Sequence, residues 1–259
     1  EVYGNLIAEG TMDEPITIHS DRLSSFYDDV PSQWDWICIN KSAHASLKNV
    51  EISNARNAIQ VDSTASLWLN SCILRDAGSS MLYSNHGDIH VYNSLMYNSG
   101  GALLEAHGGD VECIHSTLSN HFSWDYRKVS AVRLLPSTDS SYGNLLLANS
   151  IIEGNQRNEL ECEAESLLVD HCAITTENIK SIANDSRFVE VISTGNIKFK
   201  DVKKHNYHLT EGSDALNKAN PSYVDDCPVD LDGNSRNIST PTIGAYECPT
   251  EQPITDHEK

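Results

Sequence analysis

Two groups of side chains in this sequence have the types and spacing that chemistry needs. The run Glu105-Ala106-His107-Gly108-Gly109-Asp110 brings two carboxylates and an imidazole close together. Cleavage of a glycosidic bond requires two carboxyl groups, one protonated and one ionised, so Glu105, His107 and Asp110 are the expected catalytic residues if the chain is an enzyme. Asp62, Asp88 and Glu112 are further carboxylates in similar surroundings. With 37 acidic residues in 259, however, such clusters also arise by chance on solvated turns, and that is the commoner reading. The second group surrounds His121-Phe122-Ser123-Trp124-Asp125-Tyr126-Arg127-Lys128 and extends to Tyr142. Trp124, Tyr126 and Tyr142 offer flat apolar faces to a sugar ring, and His121, Asp125 and Arg127 offer hydrogen bonds to hydroxyls. These six are the expected ligand-binding residues; the competing expectation is that the aromatics fold back over a small core of their own loop.

Metal chemistry finds little support. The seven cysteines show no C-x-x-C spacing, which disfavours a zinc site. Asp230-Leu231-Asp232-Gly233-Asn234 places its glycine fourth, where a calcium loop of the EF-hand kind needs it sixth, so a closing turn is expected there. No metal and no cofactor are expected. Cys227 and Cys248 would pair only in an oxidising compartment. The net charge is 18 − 37 = −19, which argues against nucleic acid or an anionic membrane as partner. No apolar run is long enough to span a bilayer. Because the chain opens inside an alternating pattern, a preceding signal or anchor segment is expected.

What must position these residues is a repeat. Asn49, Asn70, Asn93, His115, Asn149 and His171 head equivalent segments at spacings of 21, 23, 22, 34 and 22. Leu47, Trp68, Val91, Cys113, Leu147 and Val169 stand two residues before and are expected to be buried; Tyr92, Leu69 and Ile114 are assigned to an outward column. Apolar positions change parity at the Asn, and strand side chains alternate with period two, so the chain must turn a corner there. Asn tolerates the left-handed conformation a corner needs, and stacked corners would form an Asn ladder. A third strand per repeat follows, as in Trp36–Ile39 and Ala131–Leu134. Strands and corners at about 22 residues per turn close into an all-β, right-handed parallel β-helix with three strands per coil. A leucine-rich repeat has a similar period, but its leucine pattern is missing. The expected organisation is one domain over 1–248, with 221–248 closing the end of the helix and a mobile tail over 249–259. The 34-residue interval carries about 12 extra residues, and insertions of this kind become loops, often on a binding face.

The opening Gly4-Asn5-Leu6-Ile7-Ala8-Glu9-Gly10-Thr11 with Gln33-Trp34-Asp35-Trp36-Ile37, and the ending Tyr207–Leu216, Asp230–Arg236 and Pro241–Glu247, resemble bacterial surface β-helix proteins of the pectate-lyase-like superfamily with a choice-of-anchor Q type C-terminus. Asp35 and Trp36 depart from the Gly-Gly that such proteins commonly carry. The resemblance implies an exported protein anchored at the bacterial cell surface. The expectation is a non-enzymatic protein that binds glycan or forms part of a surface assembly, with a polysaccharide or an outer-membrane protein complex as partner. The alternative is a polysaccharide hydrolase or lyase.

Overall fold

The computed structural model describes residues 1–22 and 24–248; the tail expected over 249–259 lies outside the described residues. The chain winds into a right-handed parallel β-helix of three sheets. The first sheet stacks Asn5–Glu9, His44–Lys48, Ser66–Asn70, Asp88–Tyr92, Asp110–Ile114, Gly143–Ala148, Ala164–Asp170 and Phe188–Val189. The second runs from Ile16–Ile18 through Val50–Ser53, Ile73–Ala77, Leu95–Ser99, Thr117–Asn120, Ile151–Gly154 and Ala173–Ile174 to Ile192–Ser193. The third has six strands, from Ile37–Ile39 to Leu160–Cys162.

The corner between the first and second sheets is where the parity changes. Asn49, Ser71, Asn93, His115, Asn149 and His171 have φ of 49° to 54°. The second of these is Ser71, not Asn70: Lys48 pairs with Asn70 and Tyr92 with Asn70, so the corner falls one residue later. The corners Asn49, Ser71, Asn93 and His115 are thus spaced evenly at 22. This one-residue correction flips the neighbouring side chains. Leu69 joins Leu47, Val91, Cys113, Leu147 and Val169 in the core, while Trp68 points outward and is 40% exposed. Past the corner, Ile52, Leu74, Met96, Leu118, Ile152 and Ile174 form the facing core column.

The ladder at this corner differs from a stack of amides. Asn93 donates to Ser71 Oγ at 3.0 Å and Asn149 pairs with His115 Nε2 at 2.9 Å. A second ladder lies one residue on and inside the core. The Cys72 N–H donates to Ser94 Oγ, the Ser94 N–H to Ser116 Oγ and the Ser116 N–H to Ser150 Oγ, each at 3.1 Å. The outer positions flanking this corner are largely apolar, Ile73, Leu95 and Ile151 on one side and Ile114 and Ala148 on the other, and need a cover.

That cover is the C-terminal segment. Residues 221–248 do not close the end of the helix; they fold back along its side. Asn220 and Asn149 exchange hydrogen bonds of 2.6 and 2.8 Å, Cys227 packs on Ile114 and Ala148, and Gly233 lies against Met12 of the first coil. The chain then returns: Arg236 donates to Asn93 Oδ1 at 2.7 Å, and the Gly244 N–H to the Asn149 carbonyl at 2.8 Å. Tyr207, Ala245 and Tyr246 cluster with Leu95 and Tyr97. The corner column is thereby buried, and the end of the last coil carries a crevice lined by Ile182 and Phe188 among others. All seven cysteines, Cys227 and Cys248 included, are free thiols.

Candidate functional site

Glu105 and His107 project from the outer face of the third sheet, where Tyr83, Glu105, Arg133 and Glu161 form one column across successive coils. Glu105 accepts from Ser80 Oγ at 2.6 Å, meets His107 Nε2 at 3.1 Å and lies 3.3 Å from the Arg133 guanidinium. Arg133 also holds Glu161 at 2.8 Å. Burial alone would raise the Glu105 carboxyl, but the Ser80 and His107 hydrogen bonds and the Arg133 charge outweigh it and hold the group below its ordinary value. Asp110 is not part of this cluster. Gly108 and Gly109, both left-handed at φ of 70° and 75°, turn the chain between the two strands, and Asp110 sits exposed at the start of a first-sheet strand, bonded by Asn144 at 2.7 Å.

The insertion proves to be two loops. From Tyr97 to Leu104 takes 7 residues but from the paired Ser119 to Val132 takes 13; from Leu104 to Val111 takes 7 but from Val132 to Leu145 takes 13. Six extra residues therefore stand at each of two corners, which separates Tyr142 from Trp124 and Tyr126. Trp124 is 57% exposed, Tyr126 74% and Tyr142 52%, so these aromatics do not fold back into a core. Arg127 does not face a ligand. Its side chain is fully buried and binds Glu159 through two nitrogens, with further bonds to the Asn120 and Val129 carbonyls and to Asn155. A guanidinium at the base of an 11-residue loop staples it through both terminal nitrogens, while the buried Nε finds no partner. His121 meets Glu153 at 2.9 Å, and that hydrogen bond, working against burial, raises its imidazole above the ordinary value. Asp125 accepts from the Tyr126 N–H at 2.7 Å. In the second loop Asp139 accepts from Ser137 and Ser141, and Ser141 Oγ lies 2.7 Å from His86 Nε2.

Sequence reasoning missed a third constellation, on the outer face of the first sheet. Trp68 stacks on His90 with ring centroids 3.9 Å apart and planes 16° off parallel, and Tyr92 lies 5.8 Å away at 7°. Glu112 fastens both partners, at 3.1 Å to His90 Nδ1 and 2.5 Å to Tyr92 Oη. A groove of about 540 Å³ adjoins the indole, lined by Glu9, His44, Ser46, Lys48, Trp68, Asn70, Tyr92 and Asp226 among others. The signal was present: at the corrected spacing of 22, Trp68, His90 and Glu112 fall in one outward column.

Among the described residues no group of three or more His, Cys, Asp or Glu side chains is placed to hold a metal ion. The Asp230 carboxylate accepts from the Asp232, Asn234 and Glu247 N–H groups, which makes its segment a turn. No helix among the described residues is long and apolar enough to cross a membrane. No protein-family model matches this chain, and no curated protein matches it.

Proposed function

We propose that this chain is a non-catalytic, glycan-binding β-helix that works at the bacterial cell surface, presenting its loops and outer faces to polysaccharide. The observation that carries this reading is the exposure of Trp124 and Tyr126 on a loop that the buried Arg127–Glu159 pair fastens from beneath. Exposed aromatic area costs solvation unless a partner covers it, and a fixed base lets that partner bind without first ordering the loop. Tyr126 lines a shallow groove with Lys128, Ser130, Asn155, Gln156 and Asn158, polar groups that suit sugar hydroxyls. A hydrolase would need a protonated carboxylic acid here. Glu105 is instead held below its ordinary value, and Asp110 stands outside its cluster, so the expected pair of carboxyl groups is not brought together, which favours binding over cleavage. The export and surface location rest on the resemblance of the two ends of the sequence, with either a polysaccharide or an outer-membrane protein complex as the natural partner.

Affinity electrophoresis through gels containing neutral or acidic polysaccharides tests the proposal. Wild type is expected to be retarded by at least one neutral polymer, and Trp124→Ala and Tyr126→Ala to lose that retardation, a weakening of roughly tenfold for a stacked ring. Unchanged mobility of both variants would remove this loop from the binding surface. Release of reducing ends or unsaturated products would overturn the non-catalytic assignment.

A further inference from the structure

We propose a ring-binding slot on the first sheet, directly above Ser46, that takes one pyranose unit of a neutral glycan by completing an interrupted stack. It rests on the glycan-binding reading but uses a different face of the molecule from the Trp124 loop. The column that runs across the coils is Ile7, Ser46, Trp68, His90 and Glu112. Neighbouring strands are about 4.8 Å apart, close to the spacing of stacked rings, so a column can carry one ring per coil. His90 fills its rung and covers one face of Trp68, with Tyr92 beside it. The opposite face of the indole looks toward the next rung, and there the side chain is Ser46, which has no ring. Two coil spacings, about 9.6 Å, separate the rung of Trp68 from that of Ile7, and the rung between is open to the groove of about 540 Å³.

The slot is already rigid. Glu112 fixes His90 and Tyr92, which in turn back the indole, so the stacking face need not be ordered when a ligand arrives. Polar groups flank the open rung along the sheet, Lys48 and Asn70 on one side and His44 on the other, with Glu9 and with Asp226 of the folded-back C-terminal segment lining the same groove. His44 is oriented by Ser66 Oγ at 2.8 Å. Two carboxylates against one ammonium, in a chain of net charge −19, would repel a uronate and suit a neutral ring.

The test follows the four tryptophan indole N–H signals of nitrogen-15-labelled full-length protein, the Trp68 signal being assigned by its loss in Trp68→Ala. Neutral gluco-, galacto- and manno-configured oligosaccharides are titrated, with oligogalacturonate as the anionic comparison. The Trp68 signal is expected to shift with a neutral sugar, and Trp68→Ala to bind it roughly tenfold or more weakly. Ser46→Phe places a ring on the open rung; it is expected to abolish the shift while the far-ultraviolet circular dichroism stays that of wild type. A stationary Trp68 signal in every titration, or wild-type binding by Ser46→Phe, overturns the slot. If Trp124 shifts while Trp68 does not, the slot falls and the glycan reading stands; if neither shifts, both fall. Tighter binding of oligogalacturonate overturns the neutral assignment.

Discussion

His115 shows how a single buried residue contributes to the acid sensitivity of the molecule. It occupies a corner where Asn stands in three other coils, is fully buried, and has the Arg236 guanidinium nearby. Burial first, and the Arg236 charge second, push its imidazole down to about 2. The folded protein therefore keeps His115 neutral, while the unfolded chain takes up a proton as pH falls below about 6.5. This contribution is whole above that value and is lost at about 1.4 kcal/mol per pH unit below it. His115→Asn, which keeps an acceptor for Asn149, is expected to flatten the acid limb, so that the loss of stability between pH 7 and pH 5 is about 2 kcal/mol smaller than in wild type; urea midpoints at the two pH values check this. The sequence made the corner legible through its Asn and His residues, yet hid which residue turned at the second coil. Asn70 and Ser71 are both polar, and Trp68 was assigned inward on apolar character alone. Strand parity, settled by the pairing of Asn70 with Lys48 and with Tyr92, decides the face. The same slip concealed the Trp68 stack.

At the scale of the element, the serine ladder explains why polar residues line the inside of a corner. A β-helix corner leaves N–H groups buried at each coil, and a buried unpaired donor costs about 1–3 kcal/mol. The hydroxyl of the next coil takes each one: Ser116 Oγ accepts from Ser94 and donates to the Ile114 carbonyl at 3.0 Å. Ser116→Ala is expected to lower stability by about 1–3 kcal/mol in chemical denaturation. Ser116→Cys should cost less, because Cys72 and Cys172 already occupy this column and the Ser150 N–H already uses Cys172 Sγ, at 3.4 Å. Small residues recur in this column of the sequence, but a small residue in a core reads first as a volume constraint, and that hides the acceptor ladder. The site is similar. Glu105 and His107 were legible as neighbours because i and i+2 share a strand face, but Asp110 lay beyond two left-handed glycines, and a corner breaks that rule. Arg127 read as a binding residue because nothing in the sequence marks Glu159, 32 positions on, as its buried partner.

For the whole molecule, the folded-back C-terminal segment changes how a repeat protein holds together. Coils that touch only their neighbours unfold as a one-dimensional array. Here one segment bonds to Asn93, Thr117 and Asn149 and reaches Met12, so that distant coils share a cover. Arg236 anchors it, with its side chain fully buried between Asn93 and Glu247. Arg236→Ala is expected to cost about 3–5 kcal/mol and to split a single transition into two. Urea unfolding followed by tryptophan fluorescence and by circular dichroism should coincide for wild type and separate for the variant. The sequence marked this C-terminal stretch as distinct from the coils, but its place alongside the helix depended on which outward columns were apolar. Because this segment follows the coils in the chain, Leu95, Ile114 and Ile151 must wait in water until it has been made. The nascent chain therefore carries a sticky seam while its coils emerge, and slow translation through them would prolong the interval in which two such chains can adhere.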